Sequence, residues 1–132
     1  MMLATLWVAI GGALGSVARH WMTEAGTRLG GGAFPWGTVI ANVTGSFLIG
    51  FIAALPVMGP RDPLGPMGRQ FLMVGVLGGY TTFSSFSLQT LTMLQHGHMA
   101  KAMLNVGGSV ALCLIAVAIG YVLGSAFSAG KA

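Results

Sequence analysis

Apolar residues run along this chain in four long stretches, at about 3–22, 34–56, 67–95 and 99–127. About 20 helical residues at roughly 1.5 Å each cross a hydrocarbon core about 30 Å thick, and all four stretches reach that length. The connections hold residues that end helices: Gly30-Gly31-Gly32, then Pro56 to Pro66 with Pro60 and Pro63, then His96-Gly97-His98. The pattern predicts an all-α integral membrane protein, one domain over residues 1–132 with four transmembrane helices and no soluble appendage. Polar residues inside the stretches fall at helical intervals. Thr38, Asn42 and Ser46 recur every four residues along the second, and Asn105, Ser109 and Cys113 along the fourth, so each set shares a face.

The third stretch is too long for one straight crossing, and its midpoint lies near Thr81, within Gly78-Gly-Tyr-Thr-Thr-Phe-Ser-Ser-Phe-Ser87. Glycine costs a helix up to about 1 kcal/mol and threonine weakens it further. Unwound backbone at membrane depth is tolerated only where protein buries it or a watery path runs beside it. The expectation is two half-helices joined by a break near 78–82, with free backbone groups at the bilayer midplane, where broken helices bind ions. Phe83 and Phe86 then open the second half on nearly one face. An isolated aromatic pair in a membrane helix is ordinarily packing; the break beside it makes this one a pore candidate.

Composition narrows the function. The chain is 55% hydrophobic and 6% charged, with mean hydropathy +0.83, against about 25% charged in soluble domains. The net charge of +4 on such a chain points to an anion path or lipid headgroups, not nucleic acid. The single cysteine, Cys113, excludes an internal disulfide. No secretory signal is read at the N-terminus: no basic residue precedes the first apolar run, which is too long for a signal core. Glu24 and Asp62 are read as lying in loops, so no membrane carboxylate is available for a proton-coupled exporter. There is no phosphate-binding glycine loop and no Ser/His/Asp or Cys/His set, so the chain is not read as an enzyme. His96 and His98, in one short loop, are read as solvated.

Several residues carry two readings. Gly11/Gly15, Gly12/Ser16 and Gly120/Gly124 are small-xxx-small pairs, best read as close helix packing. Arg19 is either a snorkelling arginine or an anion-attracting charge at a vestibule. Asn42, near the bilayer centre, is interhelical glue or a pore-lining donor. Ser109 bonds its own backbone four residues back or faces the polar stripe of the second stretch. Basic residues divide evenly between the two membrane sides: Arg61, Arg69 and Lys131 against Arg19, Arg28 and Lys101. The positive-inside bias has nothing to act on, so insertion in both orientations and an antiparallel dual-topology homodimer are expected.

These residues resemble the Fluc, or CrcB-type, fluoride channels. The run 78–87 is similar to that family's GG-x-TTFS-x-F motif. Trp36-Gly-Thr-Val-Ile-Ala-Asn42-Val-Thr-Gly-Ser46 is similar to its G-T-x-x-x-N-x-x-G motif, and Gly11-Gly-Ala-Leu-Gly-Ser-Val-Ala-Arg19 to its G-G-x-x-G-x-x-x-R motif. The resemblance covers nearly the whole chain. It implies a passive fluoride-selective channel in the cell inner (plasma) membrane that confers fluoride resistance, with two pores per antiparallel dimer. Phe83 and Phe86 would line the pores with ring edges, Asn42 would donate its amide to the ion, and Thr38 and Ser109 would add hydroxyls. Ser84 and Ser87 would continue the polar path, and Arg19 would draw anions to the vestibule. A structural Na⁺ at the dimer centre would be held by the Gly78 and Thr81 carbonyls of both subunits. Some relatives carry an aromatic residue where this chain has Asn105. The competing readings are a small proton-coupled multidrug exporter and a non-transporting membrane scaffold.

Overall fold

Helix α1 runs over Met2–Gly30, well past the first apolar stretch. Its last turns are polar yet contain no proline, and Gly26 there lies against the Gly37 backbone of the next helix; the Thr27 hydroxyl donates to the Thr23 carbonyl at 3.0 Å, and Arg28 pairs with Glu24 one turn away at 3.7 Å. The helix stops where glycine admits left-handed backbone, at Gly31 (φ 68°) and Gly32 (φ 72°). Helix α2 follows over Trp36–Ala53, directly after Pro35, and is shorter than its apolar stretch. The computed structural model describes residues 1–57 and 62–130. Pro60, Arg61 and Lys131, used above for the connection and the charge balance, lie outside the described residues.

Helix α3 occupies residues 65–80 and changes winding along its length. Gly65–Arg69 is α-helical, Gln70–Leu77 is a π-helix, and Gly78–Tyr80 is α-helical again. Thr81 (φ −80°, ψ 156°) and Thr82 (φ −153°, ψ 114°) are extended. Helix α4 then covers Phe83–Gln95 and α5 covers Met99–Ala129. The turn between them centres on Gly97 (φ 76°): the His98 N–H reaches the Met93 carbonyl at 2.8 Å and the Gly97 N–H the Leu94 carbonyl at 3.0 Å. These paired bonds satisfy carbonyls that the helix end would otherwise leave bare.

Helical winding thus persists through Gly78 and Gly79, where the sequence led us to expect unwinding to begin, and the two extended residues are the threonines. Gly79 serves a different purpose: a side chain there would run into the Gly12 backbone of α1. The π-helical stretch is used in the same way, since a Cβ on Gly11 would lie 2.6 Å from the Phe71 carbonyl and 3.0 Å from Gly75 Cα. Glycines also bring α2 against α5, with Gly50 facing the Val117 carbonyl, Gly120 the Phe47 carbonyl and Gly124 the Phe51 carbonyl. Gly12 differs from its neighbours, because its own side faces open space.

The most extensive packing is between α2 and α5, while α1 lies against α3 and α2. Helix α4 rests mainly on α5 and touches α2 only slightly. Met2–Gly30, Trp36–Ala53, Gly65–Gln95 and Met99–Ala129 are each long and apolar enough to cross a bilayer, and large apolar side chains such as Leu6, Trp21, Leu104 and Leu114 are exposed on the outer surfaces. The chain is a multi-pass membrane protein, with those surfaces suited to lipid or to another chain.

One polar clamp ties the end of α2 to the start of α3. Arg69, 12% exposed, donates from Nη1 to the Ile52 carbonyl (3.0 Å) and from Nη2 to the Leu55 (2.7 Å) and Pro56 (2.6 Å) carbonyls. The guanidinium therefore sits on the negative end of α2. Asp62 lies 3.9 Å from Arg69 Nε, and its Oδ1 accepts from the Leu64 and Gly65 N–H groups at 3.1 and 3.0 Å. The Leu64 N–H chiefly holds the Asp62 carboxyl below its ordinary pKa. Burial opposes that shift, while the Gly65 N–H and Arg69 reinforce it. Arg69→Met keeps the stem and strips three charge-assisted bonds. We expect it to cost about 3 kcal/mol, read as a lowered thermal unfolding midpoint in detergent, with partial rescue by Arg69→Lys.

Candidate functional site

The two extended threonines place the site. In an α-helix the Thr82 N–H would bond the Gly78 carbonyl four residues back. Here it turns away and donates to Asn42 Oδ1 at 2.7 Å, while Asn42 Nδ2 donates to the Thr82 carbonyl at 3.1 Å. The Thr82 side chain then starts the next helix: its Oγ1 accepts from the Ser85 N–H at 3.1 Å, a side-chain N-cap on α4. Ser84 Oγ and Ser85 Oγ lie 3.2 and 3.1 Å from the same oxygen. Thr81 closes the preceding turn, its N–H and Oγ1 both donating to the Leu77 carbonyl at 2.9 and 3.0 Å.

Capping fixes the first turn of α4 and with it the two rings. Phe83 and Phe86 stand with centroids 5.3 Å apart and planes at 43°. Phe86 is buried at 8% exposure, whereas Phe83 is 77% exposed. Both border a cavity of about 450 Å³, together with Asn42, Ser46, Thr82 and Ser109. Gly78, Thr81 and Cys113 also border it. Among the described residues no charged one does, so the wall offers amide, hydroxyl and ring-edge groups beside apolar side chains.

The remaining sequence-selected residues fall around this cavity rather than in it. Thr38 is one turn before Asn42 and buried at 2% exposure. Ser84 and Ser87 are exposed on α4, and the Ser87 hydroxyl donates to the Phe83 carbonyl at 2.9 Å. Arg19 is half-buried on α1. Because that helix continues to Gly30, Arg19 lies inside it rather than near its end.

Ser109 shares the cavity wall with Asn42 and Ser46 of α2, and its bond goes to a side chain one turn back rather than to its own backbone. It donates to Asn105 Oδ1 at 3.3 Å, Asn105 Nδ2 donates to Thr90 Oγ1 at 2.9 Å, and Thr90 Oγ1 donates to the Phe86 carbonyl at 2.8 Å. Asn105, 1% exposed, is thus the buried centre of a polar chain joining α4 to α5. A hydroxyl has one proton, so Ser109 must rotate away from this long, weak bond before it can donate into the cavity. The four-residue spacing of Asn105 and Ser109 carried that contact in the sequence, but the link to Thr90 needed the fold.

The Gly78 and Thr81 carbonyls suit a hard cation. Gly78 has lost its helical partner to Asn42, Thr81 is extended, and both residues border the cavity. Neutral oxygens of this kind are the ligands such ions take. Among the described residues no three His, Cys, Asp or Glu side chains gather as a metal site.

A family model described as "CrcB-like protein, Camphor Resistance (CrcB)" matches residues 6–121. A protein of Methylocella silvestris named "Fluoride-specific ion channel FluC" is 49% identical over 126 residues, covering 96% of each chain. Proteins with the same name from Opitutus terrae and Rhodospirillum rubrum are 52% and 51% identical over 117 residues, each alignment covering 89% of this chain.

Proposed function

The chain belongs to the CrcB-like family, and from that premise we propose that it is a passive, fluoride-selective channel of the plasma membrane through which cells lose fluoride. The observation that carries this reading is the cavity wall. Asn42, Ser109 and the Phe83–Phe86 pair converge there with no charged residue among those described. Fluoride is small and firmly hydrated, so a pore must replace its water with donors and still release it. A lysine in that wall would hold the anion too firmly. A neutral amide, a hydroxyl and the positive edges of two rings are graded donors.

In this reading Asn42 offers an amide N–H to the ion, Phe83 and Phe86 present ring edges, and Ser109 contributes its hydroxyl after rotating from Asn105. Thr38, Ser84 and Ser87 extend the polar path, and Arg19 attracts anions at the vestibule. Helix α4 is the second half of a broken membrane helix. The exposed Phe83 is completed by a second copy inserted the opposite way, giving an antiparallel dimer with two pores. Na⁺ at the dimer centre would be held by the Gly78 and Thr81 carbonyls of both subunits. When bound, it supplies a fixed positive charge that ties the two chains together and steadies the extended threonines. The channel carries out no covalent chemistry.

The test is anion loss from liposomes holding the purified protein. We expect fast fluoride efflux with no matching chloride efflux and no dependence on a proton gradient. Efflux that required a proton gradient would favour a coupled exporter, and no efflux at all a scaffold.

A further inference from the structure

Asn42 does something that an ion ligand alone need not do. Its side-chain amide exchanges both possible hydrogen bonds with one residue, taking the Thr82 N–H at 2.7 Å and giving to the Thr82 carbonyl at 3.1 Å. The partners are 40 positions apart in sequence and part-buried. Two residues of antiparallel strands pair in this way, each exchanging N–H and C=O with the other. The exchange requires that one residue's N–H and C=O point to the same side. An extended residue, as Thr82 is at φ −153°, ψ 114°, satisfies that condition. A helical residue does not, because its N–H and C=O point in opposite directions along the axis.

We propose that Asn42 is the positioning residue that holds the third membrane span open, by clasping Thr82 in the extended state and diverting its N–H from the Gly78 carbonyl. The clasp does three things at once. It satisfies two backbone groups that would otherwise be bare at membrane depth. It sets the start of α4, since the same Thr82 caps that helix through Oγ1, and so fixes the direction of Phe83 and Phe86. It also takes from the Gly78 carbonyl, on a residue bordering the cavity, the N–H it would receive in a helix.

The chemistry is specific to asparagine. A carboxylate at this position accepts from the Thr82 N–H but meets the Thr82 carbonyl with lone pairs. Glutamine carries the same amide one methylene too far along. An amide has two N–H groups, and the clasp uses one, so the same side chain retains a donor for an anion. The clasp itself is independent of the cargo; only its consequence for flux rests on the channel reading.

Solid-state NMR of the full chain in lipid, labelled with carbon-13 and nitrogen-15 at threonine, reads the clasp directly. Thr82 in the unsubstituted protein should show extended-backbone carbon shifts and a slowly exchanging amide. In Asn42→Ala the shifts should move toward helical or averaged values, and amide exchange should speed up about tenfold, the loss expected for one buried hydrogen bond. Asn42→Asp should fall between the two. Unchanged Thr82 shifts and exchange in both variants, whether or not fluoride flux falls, overturn the clasp. If Asn42→Ala does not fold, the peptide at Thr82 is replaced by an ester, which deletes the N–H, leaves every side chain in place and weakens the Thr81 carbonyl as an acceptor. Thermal stability should then fall, and a midpoint equal to that of the unsubstituted protein overturns the proposal. Fluoride efflux measured alongside tests the channel reading separately.

Discussion

Phe86→Ile and Phe83→Ile should each cut fluoride efflux by about 100-fold or more while the protein still purifies with an unchanged assembly mass. Isoleucine keeps an apolar body at either position but has no ring edge, so it takes away the weak donor surface and little else. A hundredfold loss corresponds to about 2.7 kcal/mol in the barrier, a reasonable size for removing one desolvated contact to an anion. The two positions should differ in their side effects. Phe86 is buried at 8% exposure and Phe83 is 77% exposed. Within one chain Phe86→Ile should therefore lower thermal stability by about 1 kcal/mol through imperfect repacking, and Phe83→Ile hardly at all. Fluoride-electrode recordings on liposomes, paired with thermal unfolding, separate the two effects. Wild-type flux in both variants would reassign the rings to packing.

Gly120→Ala should be strongly damaging for a change of one methyl group. The new Cβ would occupy the position of the Phe47 backbone carbonyl, with the Phe51 N–H 3.0 Å away. Neither is a flexible side chain that can step aside, so α2 and α5 must separate along their most extensive contact. Overpacking generally costs about 1–3 kcal/mol and occasionally more, and this site belongs at the upper end. The expected readout is loss of monodisperse protein in detergent. Gly107→Ala is the internal comparison, since a Cβ there meets nothing within 4 Å in its own chain. It should be neutral or slightly stabilising through helix propensity. Destabilisation at Gly107 would instead place that face of α5 against another chain.

Much of the architecture was legible because hydropathy over 20 residues is a strong, local signal. The four spans follow from it, and so does the shared face of Asn42 and Ser46. The ends were less legible. Thr23, Glu24, Thr27 and Arg28 look like a loop by hydropathy, but they are adequate helix formers with partners one turn away, so α1 continues to Gly30. Gly78 and Gly79 read as breakers by propensity. Tertiary contact decides otherwise, because Gly79 is needed for the approach of α1.

Of the cavity, Asn42, Phe83, Phe86 and Ser109 were all picked from spacing and motif, and the structure brings them together. What their neighbours do was not readable. No one-dimensional pattern says that Asn42 will meet the Thr82 backbone, that Thr90 will receive Asn105, or that Arg69 will gather three carbonyls from the end of α2. Each of those links joins polar groups across different helices. The winding change over Gln70–Leu77 is similar: nothing in an ordinary apolar run announces it.

The sparse packing of α4 has a mechanical consequence. Within one chain that rod is pinned at its base by the threonine cap, at its top by the Gly97 turn and along one side by buried Phe86 and the Asn105–Thr90 bond, while the side bearing Phe83 and Leu88 is uncovered. Phe86 is held by its own chain, so whatever covers that side, lipid or protein, packs first against Phe83.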